Sequence, residues 1–466
     1  MYINESQMQK IVEKVIERLK DAGEIIIDVN RGDGIFEDIE SAITAAKNAQ
    51  KTLLELSLEK RIEIIESMRK FARTQVHRFA VMGVEETGMG RVEDKIAKNL
   101  LAINKTPGVE DLIPWVCSGD HGLTLEEKAP FGVIGSITPS TNITETVIGN
   151  AICMIAAGNS VVFNPHPSAK RTAQAAMVVL NQAIIKAAGP ANLITTVREP
   201  TLKSAETIFT HPEVKLVLVT GGPAVVEAAM KYPKRCICAG PGNPPVVVDE
   251  TADIKKAAKD IILGATLDNN ILCIAEKEIF VVEPVCDVLN SELKRAGGYQ
   301  LSGYQMDQLM KHIVVKEEVV NRELVGRNAN VIAKYIGLTI PQEVRLLFAE
   351  VSKEHPLIYL EQLMPVIPVV RIKNVEEGIE LSLKAEHGYK HTAIMHSKNI
   401  ERLSRMARIM DVSIFVKNGP SCAGLGYGGE GYTTFSIAGT TGEGLTTPKT
   451  FTRPRRCTLV DYFRIV

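Results

Sequence analysis

Apolar residues at the beginning of the chain recur at spacings of three and four. Met8, Ile11, Val12, Val15, Ile16 and Leu19 are separated by Lys10, Glu13, Lys14, Glu17 and Arg18, the period of an amphipathic helix over residues 1–22. Gly23, Gly32 and Gly34 then interrupt residues 21–36 and mark a linker. The apolar stripe needs a partner: it either folds back on its own domain or lies in a groove on another protein.

From 38 to 104 the pattern stays helical, with covering helices expected over 39–51 and 60–77. Residues 122–137 switch to a two-residue alternation, seen in Leu123 and Leu125, that leads into a compact apolar strand at 133–137. Strands at 160–163, 193–197 and 214–220 then alternate with helices at 168–188, 204–210 and 224–232. That alternation is what a parallel sheet with crossover helices requires, so 34–235 reads as a Rossmann-type, doubly wound α/β cofactor domain. A second α/β unit, the catalytic domain, is expected over 236–434, with strands at 246–248, 279–282, 366–370 and 414–416. The tail 440–466 is rich in Thr, Arg and β-branched residues and holds Pro448 and Pro454, a composition that suits edge strands.

Composition narrows the function. The chain has 466 residues, 45% hydrophobic and 23% charged, enough for two or three packed domains. With 54 Lys+Arg against 55 Asp+Glu, nothing draws it to nucleic acid or to an anionic membrane, and a small-molecule substrate is expected. No run of about 18 apolar residues occurs, and Glu5, Lys10, Glu13 and Lys14 stand where a signal peptide needs an apolar core, which points to the cytoplasm. Eight scattered cysteines suit free thiols in a reducing compartment. Cys236 and Cys238 form a lone C-x-C without a second ligand pair at zinc spacing, so no structural metal is expected.

Two local constellations carry chemistry. Thr220-Gly221-Gly222-Pro223 joins a strand to a helix, where glycines let backbone amides approach a phosphate at the positive helix end. The full G-x-G-x-x-G spacing is absent, and taken alone such a turn is a packing feature more often than a cofactor site. Cys273 follows a polar approach, Asn269-Asn270-Ile271-Leu272. A free thiol is only a few per cent ionised at neutral pH, so a catalytic cysteine needs amide dipoles or a cation nearby.

In order and spacing, Thr138-Pro139-Ser140-Thr141-Asn142, the run from Ala156 to Pro167, Thr220-Gly221-Gly222, the run from Ala239 to Pro245 and the stretch ending at Cys273 resemble the aldehyde dehydrogenase superfamily. Within it they are similar to the acylating propionaldehyde and acetaldehyde dehydrogenases of bacterial microcompartments. The resemblance runs from about Gly34 to Val466, and five motifs in order are far more specific than any one.

The resemblance implies Cys273 as the nucleophile and Asn142 as the side-chain amide that, with the Cys273 backbone N–H, holds the oxyanion. It implies a NAD site formed by Thr138, Pro139 and Ser140, by Asn164 and His166, by Thr220, Gly221 and Gly222, and by Cys238, Ala239 and Gly240, with Glu361 on the nicotinamide ribose. Two positions depart from the pattern of hydrolytic relatives. Asn164 and His166 stand where many of these carry a Lys on the adenosine ribose; no added Arg or Lys is in place locally to receive a 2′-phosphate, so NAD is expected. Cys238 stands where hydrolytic members carry a Glu that activates water, and without that base the acyl group should pass to coenzyme A.

The implied function is thus oxidation of a short aldehyde to acyl-CoA. Propionaldehyde and acetaldehyde are not separable, because one methylene is worth only about 1–3 kcal/mol. A hydrolytic aldehyde dehydrogenase, an acyl-phosphate reductase and a catalytically silent assembly protein are the alternatives. The resemblance also makes residues 1–20 a cargo peptide for a microcompartment shell protein. It likens 122–130 and the tail 440–466 to an oligomerisation arm, implying a homodimer or homotetramer.

Overall fold

The computed structural model describes residues 33–316 and 319–466; the expected helix at 1–22 lies outside them. Two parallel sheets and one antiparallel ribbon organise the described residues. The first sheet has six parallel strands in the order Ile35–Phe36, Ile194–Val197, Ser160–Pro165, Val133–Thr138, Val214–Thr220, Cys236–Ala239. After the short edge strand Ile35–Phe36, the chain crosses to the middle at Val133–Thr138, builds back outward to that edge, then returns to add the other half from Val214–Thr220. This reversal opens a crevice at the carboxyl ends of those two neighbouring strands, the place where doubly wound sheets hold nucleotides. Thr138 and Thr220 are the last residues of the two strands.

The second sheet has seven parallel strands: Gly298–Gln300, Leu346–Val351, Val366–Ile372, Glu278–Val282, Pro245–Val248, Thr392–His396, Ile414–Lys417. Its inner strands are buried on both faces, which explains the unbroken apolar runs in Val246-Val247-Val248 and Ile279-Phe280-Val281-Val282. No helix among the described residues is long and apolar enough to cross a membrane.

Strands Trp115–Gly119, Gly122–Pro130 and Thr452–Val460 form the antiparallel ribbon, with Thr124 opposite Thr458 and their hydroxyls 3.1 Å apart. Trp115, Val116, Leu459 and Val460 are exposed on it.

Several boundaries differ from the sequence expectation. Cys236–Ala239 pairs with Val214–Thr220, so the break between the two sheets falls after Ala239 rather than before Cys236. Ile35–Phe36, expected in the linker, pairs with Ile194–Val197. The expected helix at 60–77 is two helices, Leu58–Thr74 and Val76–Thr87. Within the tail only Thr452–Val460 is an arm strand; Pro448–Phe451 is a short helical turn whose Phe451 is buried in the cofactor domain.

Candidate active site

Helix Ile254–Thr266 ends just before the segment that delivers Cys273. Asp268, Asn269 and Asn270 all lie in the left-handed region, with φ of 50°, 56° and 67°. Such strain persists only where the surroundings over-determine it, and here every one of the three side chains is committed. The Asp268 carboxylate accepts from the Arg91 backbone N–H at 2.7 Å, Lys95 Nζ at 2.9 Å and Lys98 Nζ at 2.6 Å, and its own N–H donates to Asp94 at 3.0 Å. Asn269 donates to the Gly326 carbonyl and to Asn328, both at 2.8 Å. Asn270 donates to the carbonyls of Ala265 and Glu276, while Lys277 Nζ donates to Asn270 Oδ1 and to the Leu272 carbonyl. The thiol is therefore carried on a clamped loop.

Asn142 caps helix Ile143–Ala156, whose 14 residues are all buried. Its Oδ1 accepts from Lys98 Nζ at 2.7 Å, and its Nδ2 has only a long contact of 3.4 Å with Thr141 Oγ1. With the amide oxygen engaged from behind, the NH2 end is left to donate to a further acceptor.

Around Cys273 stand Gly242, Glu361, Lys277 and His391. Glu361 accepts from the Gly242 N–H at 3.1 Å. Gly242 passes so close that a Cβ on it would lie 2.5 Å from the Cys273 carbonyl oxygen and 2.9 Å from the His391 ring. Burial, then the Glu361 charge, push the Cys273 thiol up to about 12, against the opposing pull of Lys277 and Lys98. Burial holds Lys277 down at about 8. Burial and the Lys277 charge hold His391 at about 3, so its ring is neutral. His391 Nδ1 meets Thr392 Oγ1 at 2.9 Å, and its buried Nε2 has no partner among the described residues. A thiol on a clamped loop and an amide donor together provide a nucleophile and a stabiliser for a developing oxyanion.

The model of the aldehyde dehydrogenase family matches residues 6–302. Over 470 residues, covering 100% of both chains, the protein is 48% identical to the acetaldehyde dehydrogenase (acetylating) EutE of Salmonella typhimurium. The chain belongs to the aldehyde dehydrogenase family. Among solved structures it is similar to the Rhodopseudomonas palustris propionaldehyde dehydrogenase with bound CoA and an acylated cysteine. The TM-score is 0.91 and the identity 45%, over 92% of this chain and 98% of that one. It is likewise similar to the propionaldehyde dehydrogenase of the Clostridium phytofermentans fucose utilisation bacterial microcompartment. There the TM-score is 0.91 and the identity 46%, over 93% of this chain and 100% of that one.

The nucleotide side of this aldehyde dehydrogenase suits a dinucleotide. Thr138 Oγ1 is buried without a partner among the described residues, and Gly222, which caps helix Pro223–Met230, has open space where a Cβ would be. Pro139 and Ser140 follow Thr138 at the same crevice; Gly221 donates to the Ala239 carbonyl at 3.1 Å, and Thr220 Oγ1 meets Ser436 Oγ at 2.7 Å. Gly240 stands close to Thr440.

Three expected contributors are placed otherwise. Asn164 is turned inward, accepting from Ser204 Oγ at 2.5 Å and donating to the Thr201 carbonyl at 3.4 Å, so it secures the start of helix Leu202–Thr210 instead of offering its amide to a ribose. His166 accepts from the Ser168 backbone N–H at 3.2 Å and is held below the usual histidine range by burial and by Arg322. That arginine, 156 positions along the chain, corrects the expectation that no cation is at hand near His166. Cys238 does not face the nucleophile: its thiol is buried in the cofactor-domain core, 3.2 Å from Cys236 Sγ, and the backbone beside Cys273 is that of Gly242. Position 238 still brings no carboxylate to the strand.

His391, Lys98, Lys277 and Asp268 were missed. Lys95, Lys98 and Asn99 lie on the same helical stripe as buried Ala102. Polar residues at inward-facing positions were the signal that could have found them.

Proposed function

We propose that the chain oxidises a short aldehyde, acetaldehyde or propionaldehyde, to its coenzyme A thioester, with Cys273 as nucleophile and a nicotinamide dinucleotide as hydride acceptor. The observation that carries this reading is the pairing of a clamped Cys273 with an Asn142 amide whose oxygen is engaged by Lys98. Acetylating and CoA-bound relatives of comparable length support the acyl acceptor.

Cys273 Sγ releases its proton to solvent water and the thiolate adds to the carbonyl carbon, so that the carbonyl oxygen takes up negative charge. Asn142 Nδ2 and the Cys273 backbone N–H donate to that oxygen, which stabilises the transition state more than the ground state. A nicotinamide dinucleotide held at the crevice by Thr138 and Gly222 would supply the hydride acceptor that converts this adduct to a thioester on Cys273. The thiolate of coenzyme A, its proton released to solvent, then attacks this thioester and expels the Cys273 thiolate. One thioester replaces another, so the sequence runs in both directions.

The test is intact-protein mass spectrometry. Aldehyde and dinucleotide without coenzyme A should leave one acyl adduct on Cys273 that coenzyme A discharges, and Cys273→Ala should show none. A wild-type enzyme that reduces dinucleotide yet never carries the adduct would overturn the assignment.

Residues 1–20 are proposed as a docking peptide for a microcompartment shell, on the strength of their apolar period and of the microcompartment relative. The exposed apolar residues of the ribonlike arm support its use in self-association.

A further inference from the structure

One ammonium group, Lys98 Nζ, touches both halves of the site. It donates to Asn142 Oδ1 at 2.7 Å and lies 2.6 Å from Asp268 Oδ2 and 3.4 Å from Glu145 Oε1, fully shielded from solvent. Asp268 is the head of the clamped loop that ends in Cys273, and Asn142 begins the helix on the opposite wall. An amide has two ends of opposite polarity and nearly equal size. Packing alone does not choose between them; a cation behind the oxygen does, because the reverse orientation would place NH2 against NH3+ and aim the carbonyl oxygen at the developing oxyanion.

We propose that Lys98 is a positioning residue: it fixes which end of the Asn142 amide faces the aldehyde oxygen, and it ties that amide to the loop carrying Cys273. The surrounding charges are consistent with a permanently charged lysine. Asp268 and Glu145 outweigh the effect of burial and raise its pKa, and Asp268 is also served by Lys95 and the Arg91 N–H. Lys98 is thus available to Asn142 without leaving Asp268 unpaired.

The proposal rests on the aldehyde-oxidation reading, and a double-mutant cycle separates the two. Nucleotide reduction with propionaldehyde and coenzyme A is measured for the wild type, Asn142→Ala, Lys98→Met and the double variant. Removing one oxyanion donor typically costs about 100- to 1,000-fold in kcat. Asn142→Ala should show that loss. Lys98→Met should lower kcat at least tenfold while the dinucleotide KM stays within twofold. Added to Asn142→Ala, Lys98→Met should cost less than threefold more, since the amide it orients is already gone. A full multiplicative loss in the double variant, or an unchanged kcat in Lys98→Met, would overturn the positioning role while leaving the reaction intact. An Asn142→Ala enzyme with wild-type kcat would instead remove the oxyanion reading on which the proposal stands. Should Lys98→Met not fold with Glu145 left unpaired, Lys98→Met/Glu145→Gln removes one charge of each sign, and the same cycle is read against Glu145→Gln.

Discussion

Gly242→Ala tests the packing of the site at its tightest point. The new methyl would sit 2.5 Å from the Cys273 carbonyl oxygen and 2.9 Å from Cγ of His391, where ordinary van der Waals contact begins at 3.4 Å. The oxygen would have to retreat by about 0.9 Å, or Gly242 move away by as much. Neither is free to do so. Cys273 follows a loop in which three successive side chains are hydrogen-bonded, His391 is buried with its N–H donating to Glu386 at 2.8 Å, and the Gly242 N–H is held by Glu361. Overpacking of this kind costs about 1–3 kcal/mol in stability. A displacement near 1 Å at the reacting group costs about 100-fold in rate, equivalent to roughly 2.7 kcal/mol of barrier. The assay is kcat and KM from dinucleotide reduction, with thermal melting on the same samples. Gly222→Ala is the control: no atom lies within 4 Å of its new Cβ, so melting should not change while the dinucleotide KM rises. Wild-type kcat and melting in Gly242→Ala would refute the packing argument.

Three further outcomes are expected. Because burial raises the Cys273 pKa to about 12, its thiolate fraction is small at neutral pH. Iodoacetamide labelling of the free enzyme should therefore rise about tenfold per pH unit through pH 10; a plateau near pH 8.5 would contradict the burial. Asn164→Ala should lower stability by about 0.5–1.5 kcal/mol, since Ser204 loses one acceptor and keeps the Thr201 carbonyl at 2.9 Å, and leave the dinucleotide KM within twofold, as judged by urea unfolding and initial rates. Deleting residues 1–20 should leave activity intact and abolish co-purification with microcompartment shells; loss of activity would sink the docking proposal.

How much of this was legible in the sequence depends on whether the signal was local. The strand Val214–Thr220 was read residue for residue, because its apolar run is bounded by His211-Pro212 on one side and Gly221-Gly222 on the other. Helix Ile143–Ala156 was passed over: it is buried all round, so no polar face gives it a helical period. Cys273 and Asn142 were singled out through motifs that carry their own context. Lys98, Asp268 and His391 were not, because their meaning lies in contacts 44, 173 and 149 positions away, with Asn142, with Lys95 and with Gly242. Asn164 was misjudged for the same reason, since Ser204, 40 positions on, takes its oxygen. Cys238 was misplaced, because a strand position facing the core cannot be told from one facing the site by sequence alone.

The central claim, that coenzyme A and not water receives the acyl group, is tested most directly by dinucleotide reduction with propionaldehyde in the presence and absence of coenzyme A. The account predicts sustained turnover with coenzyme A and, without it, a burst of about one equivalent per Cys273 followed by a near-stationary thioester. Undiminished steady-state turnover without coenzyme A, with free carboxylate accumulating, would contradict it.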